Sequence, residues 1–388
     1  MEAYRRRLRG GDLGAVPVVL GLLVIWGVFQ GLDENFLSPR NLSNISVDIV
    51  GTGMIAVGVV FVLLIGQIDL SVAVVSALAA AVFAVLNVVH GVPEGPAVLL
   101  ALLCGAATGA VHGFVFARIG VPVFVVTLAG LLGWHGMMLA VMGRQGTINF
   151  DDRGPVARLS TFYFTDVAAA YGLAALGTAV YLLTAYRTEQ RRRAVGVPAR
   201  TYGEIAVRTA VLAVLAFAAA YALNAFRGLP LALLIFLVVV AGLDYVLRRT
   251  RYGRRVVALG SGVEAARRAG VNVARVQISV LMLSGTMAAA GGLFIASRIA
   301  SATQTAGSAN LLMNAIAAAV IGGTSLYGGH GSPWSALLGM LVIQSIASGM
   351  ALLGLASAVQ FMITGGVLLV AVVVDTLARR ARRMHGRA

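Results

Sequence analysis

Runs of about twenty apolar residues recur along nearly the whole chain, and nothing else in the sequence limits the fold so strongly. Twelve can be drawn, at about 15–30, 45–65, 71–89, 96–117, 121–142, 167–186, 205–225, 229–247, 277–297, 311–326, 334–354 and 357–375. A helix of roughly 20 residues crosses the hydrocarbon core of a bilayer while satisfying its own backbone hydrogen bonds. Twelve such runs take up about 240 of the 388 residues, which leaves loops and tails but no soluble catalytic domain. Charge agrees with this, since charged residues make up 12% of the chain, about half the share of a soluble domain. The expected fold is all-α: a polytopic integral membrane protein, one transmembrane domain over 1–388, with about twelve spans. Ten is the alternative count, because the runs beside Gly66–Ser71 and Gly322–Pro333 read as broken.

The basic residues set the expected orientation. All 30 are arginine, and 23 fall in loops and tails on one side against six on the other. Arg208 sits one turn into a span, where it can snorkel. Arginines concentrate on the cytoplasmic side of membrane proteins, so both termini are expected inside. The net charge of +15 then points to a bilayer rather than to nucleic acid. Arg5, Arg6, Arg7 and Arg9 precede an apolar run that lacks a small-residue cleavage site, so this run is expected to be the first span. The absence of lysine excludes a Walker A phosphate loop, a Schiff base and a Ser-Lys dyad, all of which need the ammonium group. If the chain uses ATP, another chain must hydrolyse it. The lone Cys104 is expected to be a buried, inert thiol.

Two interruptions look alike. Ile65-Gly66-Gln67-Ile68-Asp69-Leu70 and Ile321-Gly322-Gly323-Thr324-Ser325-Leu326 share three identities when aligned from their first residue. Both end an apolar run on the expected cytoplasmic side. An internal repeat with broken helices would produce this pair, and so would a glycine-rich composition. Helix breaks are expected at Gly66, Gly322, Gly323, Gly328 and Gly329. Gly105, Gly109 and Gly113 recur every four residues, and Gly130, Gly133 and Gly136 nearly so, a spacing that lets helices pack closely.

The five histidines share no metal-ligand spacing, and neither HExxH nor GxSxG occurs, so no metal or serine-hydrolase site is expected. His112 and His135 lie within apolar runs, where the default role is a hydrogen bond between helices. Asp48, Asp69, Asp244 and Asp375 all fall near predicted span ends, where hydration is cheap. That counts against ion coupling, which needs an acid at mid-membrane. Neutral amides remain: Gln67, Asn87, Gln145, Asn224, Gln304, Asn314, Gln344 and Gln360. They suit the path of an uncharged polyhydroxy solute and serve equally as glue between helices. The segment 248–276 is the longest polar stretch. It carries arginines, a short apolar patch and a compact helix of about seven residues from Glu264, closed by Gly270. Such a helix can transmit force from a partner on the cytoplasmic face.

Several motifs together resemble one family. They are Gly66-Gln67-Ile68-Asp69-Leu70-Ser71-Val72, Phe124-Val125-Val126-Thr127-Leu128, Tyr252-Gly253-Arg254 with Glu264-Ala265-Ala266 and Gly270-Val271-Asn272, and Ala315 to Gly329. From about Asn41 to Asp375 the chain is similar to the permease subunits of ribose/xylose-type ABC sugar importers. The extra spans between Val167 and Leu247 resemble the xylose-type branch. The resemblance implies a non-enzymatic, multi-pass subunit of the plasma (inner) membrane that carries a monosaccharide and needs no cofactor. An ABC ATP-binding subunit, an extracytoplasmic sugar-binding protein and a second permease copy would be its partners. It also implies a substrate pathway near Gln67, Asp69, Asn314, Thr324 and Ser325, and ATPase coupling through Gly253, Arg254, Glu264, Ala265, Ala266 and Gly270. Leu312-Met313-Asn314 lacks both acids of the family's Glu-Leu-Asp, a departure that bears on the substrate. The alternative function is an ion-coupled secondary transporter using Asp48 or Asp69.

Overall fold

The computed structural model describes residues 16–151, 153–197, 199–356, 358–367, 369–370 and 373. The arginines at 5–9 and 379–387, together with Asp375, lie outside these. In chain order the helices are α1 Val16–Leu32, α2 Pro39–Leu64, α3 Val72–Ala84, α4 Glu94–Phe114 and α5 Val123–Met142. A short α6, Pro155–Thr161, precedes α7 Val167–Ala194, α8 Tyr202–Asn224 and α9 Leu231–Arg249. Then follow α10 Arg251–Ser261, α11 Val263–Arg268, α12 Val273–Ile299, α13 Ala309–Ile321 and α14 Pro333–Leu352. The last, α15, runs Ala358–Val367. Strand β1 (Thr147–Asn149) pairs antiparallel with β4 (Ser301–Thr303), and β2 (Tyr163–Phe164) with β3 (Leu229–Pro230). These clips tie loops together and form no sheet layer.

Nine described helices are long and apolar enough to span a membrane, and α1, α13 and α15 are shorter apolar helices. Each of the twelve apolar runs therefore contains a helix among the described residues, but the helices do not all have the length to cross a bilayer. α13 has 13 residues, about 20 Å, against a hydrocarbon core of roughly 30 Å. The expected span at 311–326 is thus a half-helix, because Gly322 and Gly323 end it early. α3 and α4 each close on a wide turn, in which His90 N–H donates to the Val85 carbonyl and Gly120 N–H to the Val115 carbonyl.

Helix starts follow local chemistry. Ser38 caps α2 through Asn41 N–H, with Pro39 in the first turn, and Asp166, Thr201, Ser308 and Ser332 cap α7, α8, α13 and α14. α2 is the central post, with 89% of its spanning window buried, whereas α7 is 11% buried and α8 17%. The centre is close-packed because small residues face each other. A Cβ on Gly109 or Gly105 of α4 would strike the carbonyls of Leu281 or Gly285 on α12, and one on Gly113 would meet Ile278. The second glycine series behaves differently. Only Gly130 is in close approach, to His112, while Gly133 and Gly136 face open space. Cys104 is half-buried on α4 rather than fully enclosed.

The arginine-rich corners lie at one end of the bundle, where Arg249 of α9 donates to Thr188 of α7. The opposite end holds the Asp48–Arg298 ion pair at 3.0 Å and the Glu94 carboxylate, which accepts from Val156 N–H of α6.

Candidate functional site

Both expected helix breaks are present, and they share one geometry. After α2, Gly66 takes φ +71° while its N–H donates to Leu63 and that of Gln67 to Val62. After α13, Gly323 takes φ +103° while its N–H donates to Val320 and that of Thr324 to Ala319. Each is a paired six-to-one and five-to-two helix terminus, which needs a left-handed residue that glycine supplies at least cost. The structural equivalence is therefore Ile65-Gly66-Gln67 with Gly322-Gly323-Thr324. This is one residue away from the register that identity suggests. Gly322 has φ −68° and is glycine for another reason: a Cβ there would collide with the Ser335 carbonyl of α14.

The two breaks touch. Gly329 N–H donates to the Leu64 carbonyl at 2.9 Å, closing the second break onto the end of α2. A Cβ on Gly328 would lie 2.9 Å from the Gly260 carbonyl and 3.0 Å from Gly66 N, and one on Gly260 would strike the Leu64 carbonyl. Gly66, Gly260 and Gly328 thus form one junction joining α2, α10 and the loop after α13. Gly328 and Gly329 both have positive φ, at +89° and +76°.

The first break is also pinned from its far side. Asp69 Oδ1 accepts from Ser71 N–H at 2.9 Å and Ser71 Oγ–H at 2.6 Å, and Oδ2 accepts from Ser284 Oγ–H of α12 at 3.1 Å. Trp134 Nε1–H of α5 donates to His112 Nε2 of α4 at 2.8 Å, so the neutral ring carries its proton on Nδ1, 3.5 Å from Ser71 Oγ. Leu70 N–H donates to Thr127 Oγ1 of α5. Asp69 is 3% exposed, contrary to the expectation of cheap hydration at a span end. α3, α4, α5 and α12 meet there, and Ser71 and Ser284 supply hydroxyl and amide donors in place of water. His112 meets its expected interhelical role, whereas His135 sits on an exposed face of α5.

The other expected pathway residues divide. Thr324 and Ser325 are buried in the second break and Gln67 is half-buried in the first. Asn314 sits apart, within α13. Asn314 Oδ1 and Thr324 Oγ1 are buried and have no hydrogen-bond partner among the described residues. Asn224 and Gln304 donate to backbone carbonyls of distant segments and act as glue, although Asn224 Oδ1 is likewise buried without a partner among the described residues. Asn87 and Gln360 bond only to carbonyls five residues away.

The segment after α9 forms two helices. Thr250 caps α10 through Gly253 N–H, and Gly253, Val256 and Leu259 form its buried stripe. Tyr252 accepts from Ser279 Oγ–H of α12, and burial pushes its phenol above the ordinary range against the pull of that bond. At the end of α11, Gly270 N–H donates to Arg267 and Val271 N–H to Ala266, with Gly270 at φ +78°. The expected glycine closure is thus present. Two expected docking residues, however, face inward. Ala266 is 3% exposed within the core, and a Cβ on Gly253 would hit the Leu247 carbonyl. A short helix lying on the bundle must bury one side, and Ala266 is on it. Glu264, Ala265, Arg267 and Arg268 form the exposed side, and Arg254 is exposed on α10.

Sequence reasoning missed Ser71, Ser284, Trp134 and Gly260. The Gly66–Val72 motif contains Ser71, but the partners at 112, 134 and 284 carry no local signal.

A bundle of membrane-length helices with two broken ones meeting at a glycine junction defines a polytopic membrane protein of the transporter class. Residues 41–372 match the family described as branched-chain amino acid transport system, permease component, and the chain belongs to that family. It is 34% identical to the xylose transport system permease protein XylH of Escherichia coli K12, over 90% of this chain and 88% of that one. Identity to XylH of Haemophilus influenzae is 32%, over 95% and 98% of the two chains. Identity to the ribose import permease protein RbsC of Bacillus subtilis is 31%, over 97% of each. No solved structure matches the chain.

Proposed function

We propose that this chain is the membrane-spanning permease subunit of an ATP-driven ABC importer that brings a monosaccharide, a pentose such as xylose or ribose, into the cytoplasm. The observation that carries the reading is its full-length similarity to permeases named for xylose and ribose. ATP hydrolysis belongs to a separate ATP-binding subunit, docked on the exposed side of α10 and α11. A soluble sugar-binding protein delivers the substrate outside, and two permease copies pair in the plasma membrane.

The chemistry of the breaks suits that cargo. Asn314 and Thr324 each present a buried oxygen without a partner. Leaving such an atom unpaired costs about 1–3 kcal/mol, which a passing sugar hydroxyl would offset. Gln67 and Ser325 add neutral polar groups at the breaks themselves, and Asp69 anchors the first break. An ion-coupled mechanism fits less well. It needs a carboxylate free to bind and release a cation, yet Asp48 is paired with Arg298 and Asp69 is held by three donors.

Reconstitution in proteoliposomes with the ATP-binding subunit and the sugar-binding protein tests the proposal. Labelled pentose should accumulate only with internal or external ATP presented to the ATP-binding subunit. Uptake by the lone chain, driven by a proton or sodium gradient, would sink the importer reading.

A further inference from the structure

Two clefts lie beside the α10–α11 segment and share Val271 in their lining. The wider, about 390 Å³, mixes apolar and polar groups: Phe116, Val263, Val273 and Ala274 stand beside Arg267 and Gln277. The narrower, about 270 Å³, is lined by Arg251, Arg254, Arg255, Ala258 and Val271. Its three arginines are exposed, and none forms an ion pair among the described residues. The nearby acids are committed elsewhere, Asp244 to Arg248 and Glu264 to Arg267, both at 2.7 Å.

This arrangement is unfavourable for the chain alone. All three cations stand in the first turns of α10, against the helix dipole. Arg251 also repels Arg254 and Arg255 at i,i+3 and i,i+4 spacing. The buried stripe of Gly253, Val256 and Leu259 packs on the bundle beneath the end of α2, so the arginine face points away from the bilayer centre. A lipid phosphate is therefore less well placed to reach it than a protein approaching from the aqueous side.

We infer that the arginine cleft takes carboxylate side chains of the ATP-binding subunit. This rests on the coupling reading above and adds the chemistry of the partner surface: aspartate or glutamate facing the first turns of α10. The ionic contact steers and orients docking.

The test titrates the ATP-binding subunit onto the full-length permease in nanodiscs, of phosphatidylcholine alone and with added phosphatidylglycerol. Raising NaCl from ~50 to ~500 mM should weaken wild-type binding at least about tenfold in both lipids, since exposed charges are screened. An Arg254→Gln/Arg255→Gln double variant should bind about tenfold more weakly at low salt and lose most of the salt dependence. Ala265→Trp should weaken binding and keep the salt dependence. If the double variant matches wild type in affinity and salt response while Ala265→Trp weakens binding, the acidic dock is wrong and the coupling reading survives. No binding by the wild-type chain removes both. A salt or charge effect confined to phosphatidylglycerol discs assigns the arginines to a lipid phosphate and overturns the proposal.

Discussion

Asp69 shows how little of a residue's role its own position reveals. A carboxylate two residues before a helix start is visible in the sequence, and local geometry alone suggests a solvated turn. In the fold it is buried and held by Ser71 and by Ser284, 215 positions away. The partners sit on α4, α5 and α12, so the network exists only once those helices pack. Replacing Ser284 by Ala removes one of three donors to a buried charge. That should destabilise the protein by about 1–3 kcal/mol, read as a lower thermal midpoint in detergent. Thermal stability equal to wild type would show that the carboxylate is satisfied without α12.

Helices were legible from the apolar runs, because a bilayer demands length and a helix pays its own hydrogen bonds. Their contact faces were only half legible. Gly105, Gly109 and Gly113 and the series at Gly130, Gly133 and Gly136 have nearly the same spacing, yet the first meets α12 backbone and most of the second meets nothing. Spacing describes a stripe; only a facing helix makes it an interface. Gly109→Val should therefore overpack the α4–α12 contact and cost at least about 3 kcal/mol, with loss of monodisperse protein on size-exclusion chromatography. Gly133→Ala should be neutral or stabilise by up to about 1 kcal/mol, alanine being the better helix former. Equal behaviour of the two variants would contradict the assignment of faces. The same limit explains α11. Its existence and its glycine end could be read from residues 264–270, whereas the inward turn of Ala266 depends on which side of a six-residue helix the bundle accepts.

Across the whole molecule, the motifs that looked separate converge. The glycine motif after α2, the one after α13 and the arginine-rich segment lie more than forty residues from one another, and they share a junction at Gly66, Gly260 and Gly328. Sequence pattern marks each as unusual, but cannot say that they touch, since the contact is made by backbone atoms of residues without side chains. Through this junction α10 reaches the breaks without an intervening element. On the docking proposed above, force delivered to α10 and α11 would reach Thr324 and Gln67 through backbone contact. A methyl group on Gly260, directed at the Leu64 carbonyl, should spoil that transmission while leaving the exposed docking side intact. The most direct measurement is the ratio of sugar imported to ATP hydrolysed by the reconstituted Gly260→Ala complex. The expected result is ATP hydrolysis close to wild type with sugar import reduced about tenfold or more; an unchanged ratio, with both rates intact, would contradict the junction as the coupling path.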